Sequence, residues 1–141
     1  MRNKAPLVLM EQTVMLLVFA LSAALCLRAF AWADRISREN EARDEAVFRA
    51  QNAAQILKSC GGDYLAAANL GGGSWNGEMW HICYGSDWNE TAGEVSYRLE
   101  VLPVTKRIEH LGEAAVRVCD AGGRELVKLN VSWQEVEPNA G

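Results

Sequence analysis

Between Leu7 and Leu57 the chain has neither glycine nor proline. Nothing there breaks a helix, so one uninterrupted helix of about 77 Å is expected at 1.5 Å per residue. The distal part lacks a basic excess. Residues 1–60 carry eight Lys/Arg and six Asp/Glu, a net +2, whereas residues 61–141 carry six and twelve, a net −6. An acidic head without a basic patch excludes nucleic acid as a partner and suits a solvent-facing domain. There are only two histidines, and no Cys-x₂-Cys or His-x₃-His spacing occurs. His81-x-Cys83 with Cys60 and Cys119 is therefore not a zinc signature. On a strand His81 and Cys83 share a face, so packing or a disulfide accounts for them. No Ser/His/Asp or Cys/His arrangement and no acid/base pair stands out. Gly71-Gly72-Gly73-Ser74 lacks the Lys-Ser/Thr ending and the strand context of a phosphate-binding loop. An enzyme, a cofactor, a metal and a small-molecule substrate are all unexpected. No internal repeat or low-complexity region is present.

What the chain has is a long apolar run. Residues 14–33, VMLLVFALSAALCLRAFAWA, contain one charge, Arg28, and one hydroxyl, Ser22. Twenty helical residues span roughly 30 Å, the thickness of a hydrocarbon core. Arg28 lies near the far end, where a long side chain snorkels to the headgroups, and Trp32 suits the same interface. Cys26 reads as a small packing residue within the run. Residues 1–6 form a short polar leader, and Pro6 fits a first helical turn. Arg2 and Lys4 precede the run, whereas Arg35, Arg38 and Arg43 follow it, so the Lys/Arg count does not set the orientation. The basic start ahead of an apolar run resembles a signal or signal-anchor. That places the N-terminus in the cytoplasm and the C-terminal head outside a cell membrane crossed once.

After Ala33 the pattern becomes one-sided. Val47, Ala50, Ala54 and Leu57 follow the spacing of an amphipathic helix over residues 34–60. Glu39 with Arg43 and Glu45 with Arg49 are expected as i,i+4 pairs, and the rest of the charge run is a solvated face. Gly61-Gly62 ends the helix, and residues 64–70 form one more short turn. Strands are expected over 79–84, 95–105, 114–120 and 125–135, the last two joined by Gly122-Gly123. In the last strand Val127, Leu129, Val131 and Trp133 face one way, and Lys128, Asn130 and Ser132 the other. Such alternation predicts an antiparallel sheet with one covered face. The expected class is α+β, with the amphipathic half of a long N-terminal helix on a four-stranded antiparallel sheet. The divisions are leader 1–6, membrane segment 7–33, amphipathic half 34–60, sheet head 61–137 and tail 138–141. Cys60, Cys83 and Cys119 lie in the exported part, and three thiols allow at most one bridge among them, with the pairing open. Trp75, Trp80 and Trp88 are expected in core or edge packing. Asn89-Glu90-Thr91 and Asn130-Val131-Ser132 match the common glycosylation acceptor pattern.

This order of parts resembles the type IV pilin and type II secretion pseudopilin family. The matching residues are Leu7-Val8-Leu9-Met10-Glu11, then Gln12 onward through the apolar run. In that family a peptidase removes the leader so that the glutamate becomes the fifth residue, and a cut before Leu7 does this for Glu11. The resemblance implies that Glu11 pairs with the new amino terminus of a neighbouring subunit, and that pilin-like subunits meet through the apolar helix. A carboxylate near lipid is costly alone, which gives a partner amine a physical role. The departure is Pro6, which stands where the family has Gly or, less often, Ala. A cut after Ala5 makes Glu11 the sixth residue.

Three readings follow. The chain is a pilin-like structural subunit, or a single-pass membrane protein whose outer domain binds a protein without a filament role, or a secreted protein with a cleaved signal. Ala29-Phe30-Ala31 and Ala31-Trp32-Ala33 fit the small-x-small cleavage pattern of the third.

Overall fold

A computed structural model describes residues 4–105, 108 and 110–135. The tail 138–141 and the first three leader residues lie outside the described residues. Helix α1 runs Ala5–Ser59. Pro6 sits in its first turn, where a missing N–H costs nothing, and no later glycine or proline interrupts it. The end is a left-handed cap. Gly61, with φ +63°, donates to the Lys58 carbonyl, and Gly62 donates to the Leu57 carbonyl, both at 3.0 Å. Only glycine takes that φ cheaply, so the glycine pair terminates the helix as its sequence indicates.

Two compact units divide the chain, Met1–Glu41 and Ala42–Gly141. The first contains α1 up to Glu41. The second contains the rest of α1, a short helix α2 (Tyr64–Gly71), and strands β1 (Ser74–Trp75), β2 (Trp80–Tyr84), β3 (Tyr97–Pro103), β4 (Leu111–Asp120) and β5 (Glu125–Gln134). Asp63 caps α2 by accepting from the Ala66 N–H at 3.0 Å. The strands form one antiparallel meander in the order β1-β2-β3-β4-β5.

The sheet has five strands rather than the four expected. The extra one, β1, lies beyond the glycine loop and pairs Ser74 with His81 and Trp75 with Trp80. Two residues cannot display a period of two, so alternation is silent there. Asn76-Gly77 is the turn signal that marks this hairpin. A Cβ at Gly73 would collide with the His81 carbonyl, so a glycine lets β1 approach β2.

One face of the sheet is covered. Ala46, Ala50, Ala53, Ala54 and Leu57 of α1 are buried with Ala67 and Ala68 of α2. They form one core with Trp80 and Ile82 of β2, Leu99 and Val101 of β3, Val116 and Val118 of β4, and Val131 and Trp133 of β5. The stripe differs from the expected one. Val47 is only half-buried, and Ala46 and Ala53 take buried places. The inward face is mostly alanine, whose small side chain lets the helix lie close to the larger strand residues. Hydrophobicity alone ranks Val47 above Ala46, but the sheet decides which side is inward. The Trp133 indole lies against Gly112 and Gly62, and a Cβ at either would overlap it.

The tryptophans pack as expected, though not as one cluster. Trp80 is fully buried and donates from Nε1 to the Gly72 carbonyl at 2.8 Å. Trp75 stacks on Tyr64 at 4.7 Å, and Trp88 on Tyr97 at 3.9 Å. The second stack holds Trp88 at φ +59°, a conformation unfavourable for a bulky residue. Burial pushes the Tyr64 phenol up to about 12 and also raises that of Tyr84.

Candidate functional site

The candidate site is the apolar surface of α1 within residues 7–33. Among the described residues α1 is the one helix long and apolar enough to cross a membrane, and none of its most apolar stretch is buried. Phe19, Phe30 and Trp32 are exposed, Phe30 at 80%. Apolar surface left in water costs about 25 cal/mol per Å², so a run of this length is consistent with a membrane anchor, a signal or packing between subunits. Its hydroxyls are already satisfied. Thr13 donates to the Leu9 carbonyl and Ser22 to the Val18 carbonyl, each at 2.8 Å. Back-bonding of this kind leaves no uncompensated hydroxyl in an apolar surrounding.

Glu11 and Arg28 are the charged residues of the segment, and both are exposed. Neither is in an ion pair with another described residue. Pro6 and Leu7, the proposed processing position, lie in the first turns of α1, with Glu11 one turn beyond Leu7. Past Ala33 the charges pair along the helix. Arg38 meets Asp34 at 3.1 Å, Arg35 meets Glu39 at 3.5 Å, and Arg49 meets Glu45 at 3.0 Å. The Glu45–Arg49 pair is the expected one. Glu39 pairs with Arg35 instead of Arg43.

In the second unit the sheet face opposite the helices carries a row of polar and charged side chains. Ser74, His81, Glu100, Arg117 and Lys128 lie in one cross-strand row. Ser74 Oγ lies 3.1 Å from His81 Nε2, and Arg117 Nε donates to Glu100 at 2.6 Å. That contact explains a buried acid, since Glu100 is 8% exposed on a face whose alternation marks it as solvated. The same hydrogen bond and charge push the Arg117 guanidinium above its usual range. A cleft of about 230 Å³ beside this row is lined by Arg98, Glu100, Arg117, Cys119 and Asp120. Arg124 donates to Asp120 at 3.2 Å, so acids offset bases around the cleft. A second hollow of about 400 Å³ lies in the loops after β2 and holds Asp87, Glu90 and Glu94. Hydrogen bonds from Asn89 lower the Asp87 carboxyl below the ordinary carboxylate range. Glu90 accepts from the Gly73 N–H at 2.8 Å, which ties the loop to the start of β1. Among the described residues no group of three or more His, Cys, Asp or Glu is arranged to hold a metal ion.

Cys60, Cys83 and Cys119 are not brought together, and all are free thiols. Cys83 and Cys119 lie on the open face on either side of Arg98, two strand spacings apart. That is about 9.6 Å between Cα atoms, beyond the reach of a disulfide. Cys60 packs on the covered face, so the sheet stands between it and the other two. Burial raises the Cys119 thiol above its ordinary value, which disfavours the reactive thiolate.

No protein-family model matches the chain, and neither a curated protein nor a solved structure does. The likeness to pilins is one of architecture, in which a long N-terminal apolar helix is followed by an antiparallel sheet packed on the helix.

Proposed function

We propose that the chain is a membrane-anchored pilin-like structural subunit, a minor pilin or pseudopilin of a type IV pilus or type II secretion-type assembly. Its role is structural rather than catalytic. The observation that carries the reading is the exposed apolar segment of α1 with Glu11 near its start, set in the same helix whose later turns cover the sheet. Such a segment gains by burial in lipid before assembly and against like helices afterwards. Glu11 then serves assembly, the N-terminus is cytoplasmic and the head lies outside.

A second reading, a permanent single-pass anchor with a protein-binding outer domain, is favoured by Pro6 at the place where the resembled family is cut. N-terminal sequencing of the mature chain separates these readings. A start at Leu7 supports the subunit, an intact Met1 the permanent anchor, and a start near Trp32 or Asp34 a secreted protein. Glu11→Ala is expected to weaken co-purification with partner subunits while the head stays folded. Unchanged co-purification counts against a role for Glu11 in assembly.

A further inference from the structure

Glu11 and Arg28 have opposite charge, both are exposed, and neither is in an ion pair with another described residue. Neither finds a partner on its own helix. The residues one turn away from Glu11 are Leu7, Val8, Val14 and Met15, and those around Arg28 are Ala24, Leu25, Ala31 and Trp32. Intrahelical pairs need a separation of three or four residues. These two charges are seventeen residues apart, about 25 Å along the axis.

We propose that Glu11 of one copy pairs with Arg28 of a second, parallel copy displaced by those seventeen residues. The proposal rests on the subunit reading above and gives Glu11 Arg28 as its partner in place of the amino terminus that the resemblance implies. Two copies at equal depth place Glu11 beside Glu11 and Arg28 beside Arg28, which repels. A displacement of seventeen residues converts both repulsions into one attraction. It also sets Leu7 level with Ala24 and Val14 level with Ala31, large against small, and Val8 level with Leu25, an apolar contact. Met15 comes level with Trp32, a favourable sulfur–aromatic pairing. At equal depth in one bilayer each charge reaches the headgroups nearest to it, and the displaced contact cannot form. The contact therefore belongs to an assembly that advances along the helix axis, where the headgroups are gone and each charge needs a protein partner.

Disulfide cross-linking in intact cells tests this with both charges kept. One tagged copy carries Val14→Cys and a differently tagged copy carries Ala31→Cys, in chains whose native cysteines are replaced by serine. The expected result is a mixed cross-link severalfold stronger than that of two Val14→Cys copies. It is lost when Arg28→Glu is added to the second copy, and restored when the first copy also carries Glu11→Arg. A Val14→Cys chain that links mainly to itself, or a mixed link indifferent to the charge changes, overturns the proposal. Membrane fractionation and co-isolation of the two tags are read on the same samples. Copies that co-isolate from membranes without the displaced cross-link overturn the pairing and leave the subunit reading standing. A chain found only in the soluble fraction overturns both.

Discussion

Replacing Leu57 by alanine tests whether the last turns of α1 are structural members of the head. Leu57 is 0% exposed and sits in the core shared with the sheet. The change removes three carbons, worth about 0.8 kcal/mol each, or about 2.4 kcal/mol of transfer free energy. The cavity left in a close-packed core adds to this, and a total of about 3–4 kcal/mol lies within the range for buried leucines. Against a typical stability of about 5–15 kcal/mol, that raises the unfolded fraction by roughly two to three orders of magnitude. Phe48 provides the control. It is larger and lies on the same helix, but it is 59% exposed. Phe48→Ala is expected to change stability by about 0.5 kcal/mol or less. Urea unfolding of the detergent-solubilised chain, followed by tryptophan fluorescence, reads both, because Trp80 is fully buried in the same core. A loss below about 1 kcal/mol for Leu57→Ala, or equal losses for the two variants, would refute the reasoning.

Gly112→Ala is expected to cost about 1–3 kcal/mol by the same unfolding assay, because its Cβ would overlap the Trp133 ring on the neighbouring strand. A neutral effect would mean that the indole does not occupy that place. The head should also lose stability as pH rises from 10 to 12. Burial raises the Tyr64 phenol from 10.0 to about 12. Stability is then complete below pH 10, where the group is protonated in both states. It declines as the unfolded chain ionises first, until the folded phenol also titrates. Tyr84 shifts in the same direction, so Tyr64→Phe should remove only part of the decline. Tyrosinate absorbance during alkaline titration checks the order, and a Tyr64 that ionises near 10 would contradict it.

The elements that were legible in the chain are those governed by local rules. The absence of glycine and proline from Leu7 to Leu57 states the helix, and Gly61-Gly62 states its end. The alternation from Val127 to Trp133 states the last strand and its inward face. The parts that were not legible depend on neighbours far along the chain. β1 exists because a two-residue segment finds an edge on β2, and only Asn76-Gly77 hints at it. Glu100 reads as solvated until its register partner, Arg117, reaches over it. The cysteines look pairable until the sheet places Cys60 on one face and Cys83 and Cys119 on the other, with Arg98 between the last two.

The candidate site divides in the same way. By itself the sequence determines that residues 7–33 are apolar, that Glu11 and Arg28 break the run, and that a charged helix follows, because composition and the helical repeat are properties of the chain. Only the tertiary structure decides that alanines rather than Val47 form the inward stripe, that an acid is buried on the open face, and that the thiols stay apart. Burial depends on which surfaces meet, and a one-dimensional pattern records the spacing of side chains but not what stands opposite them.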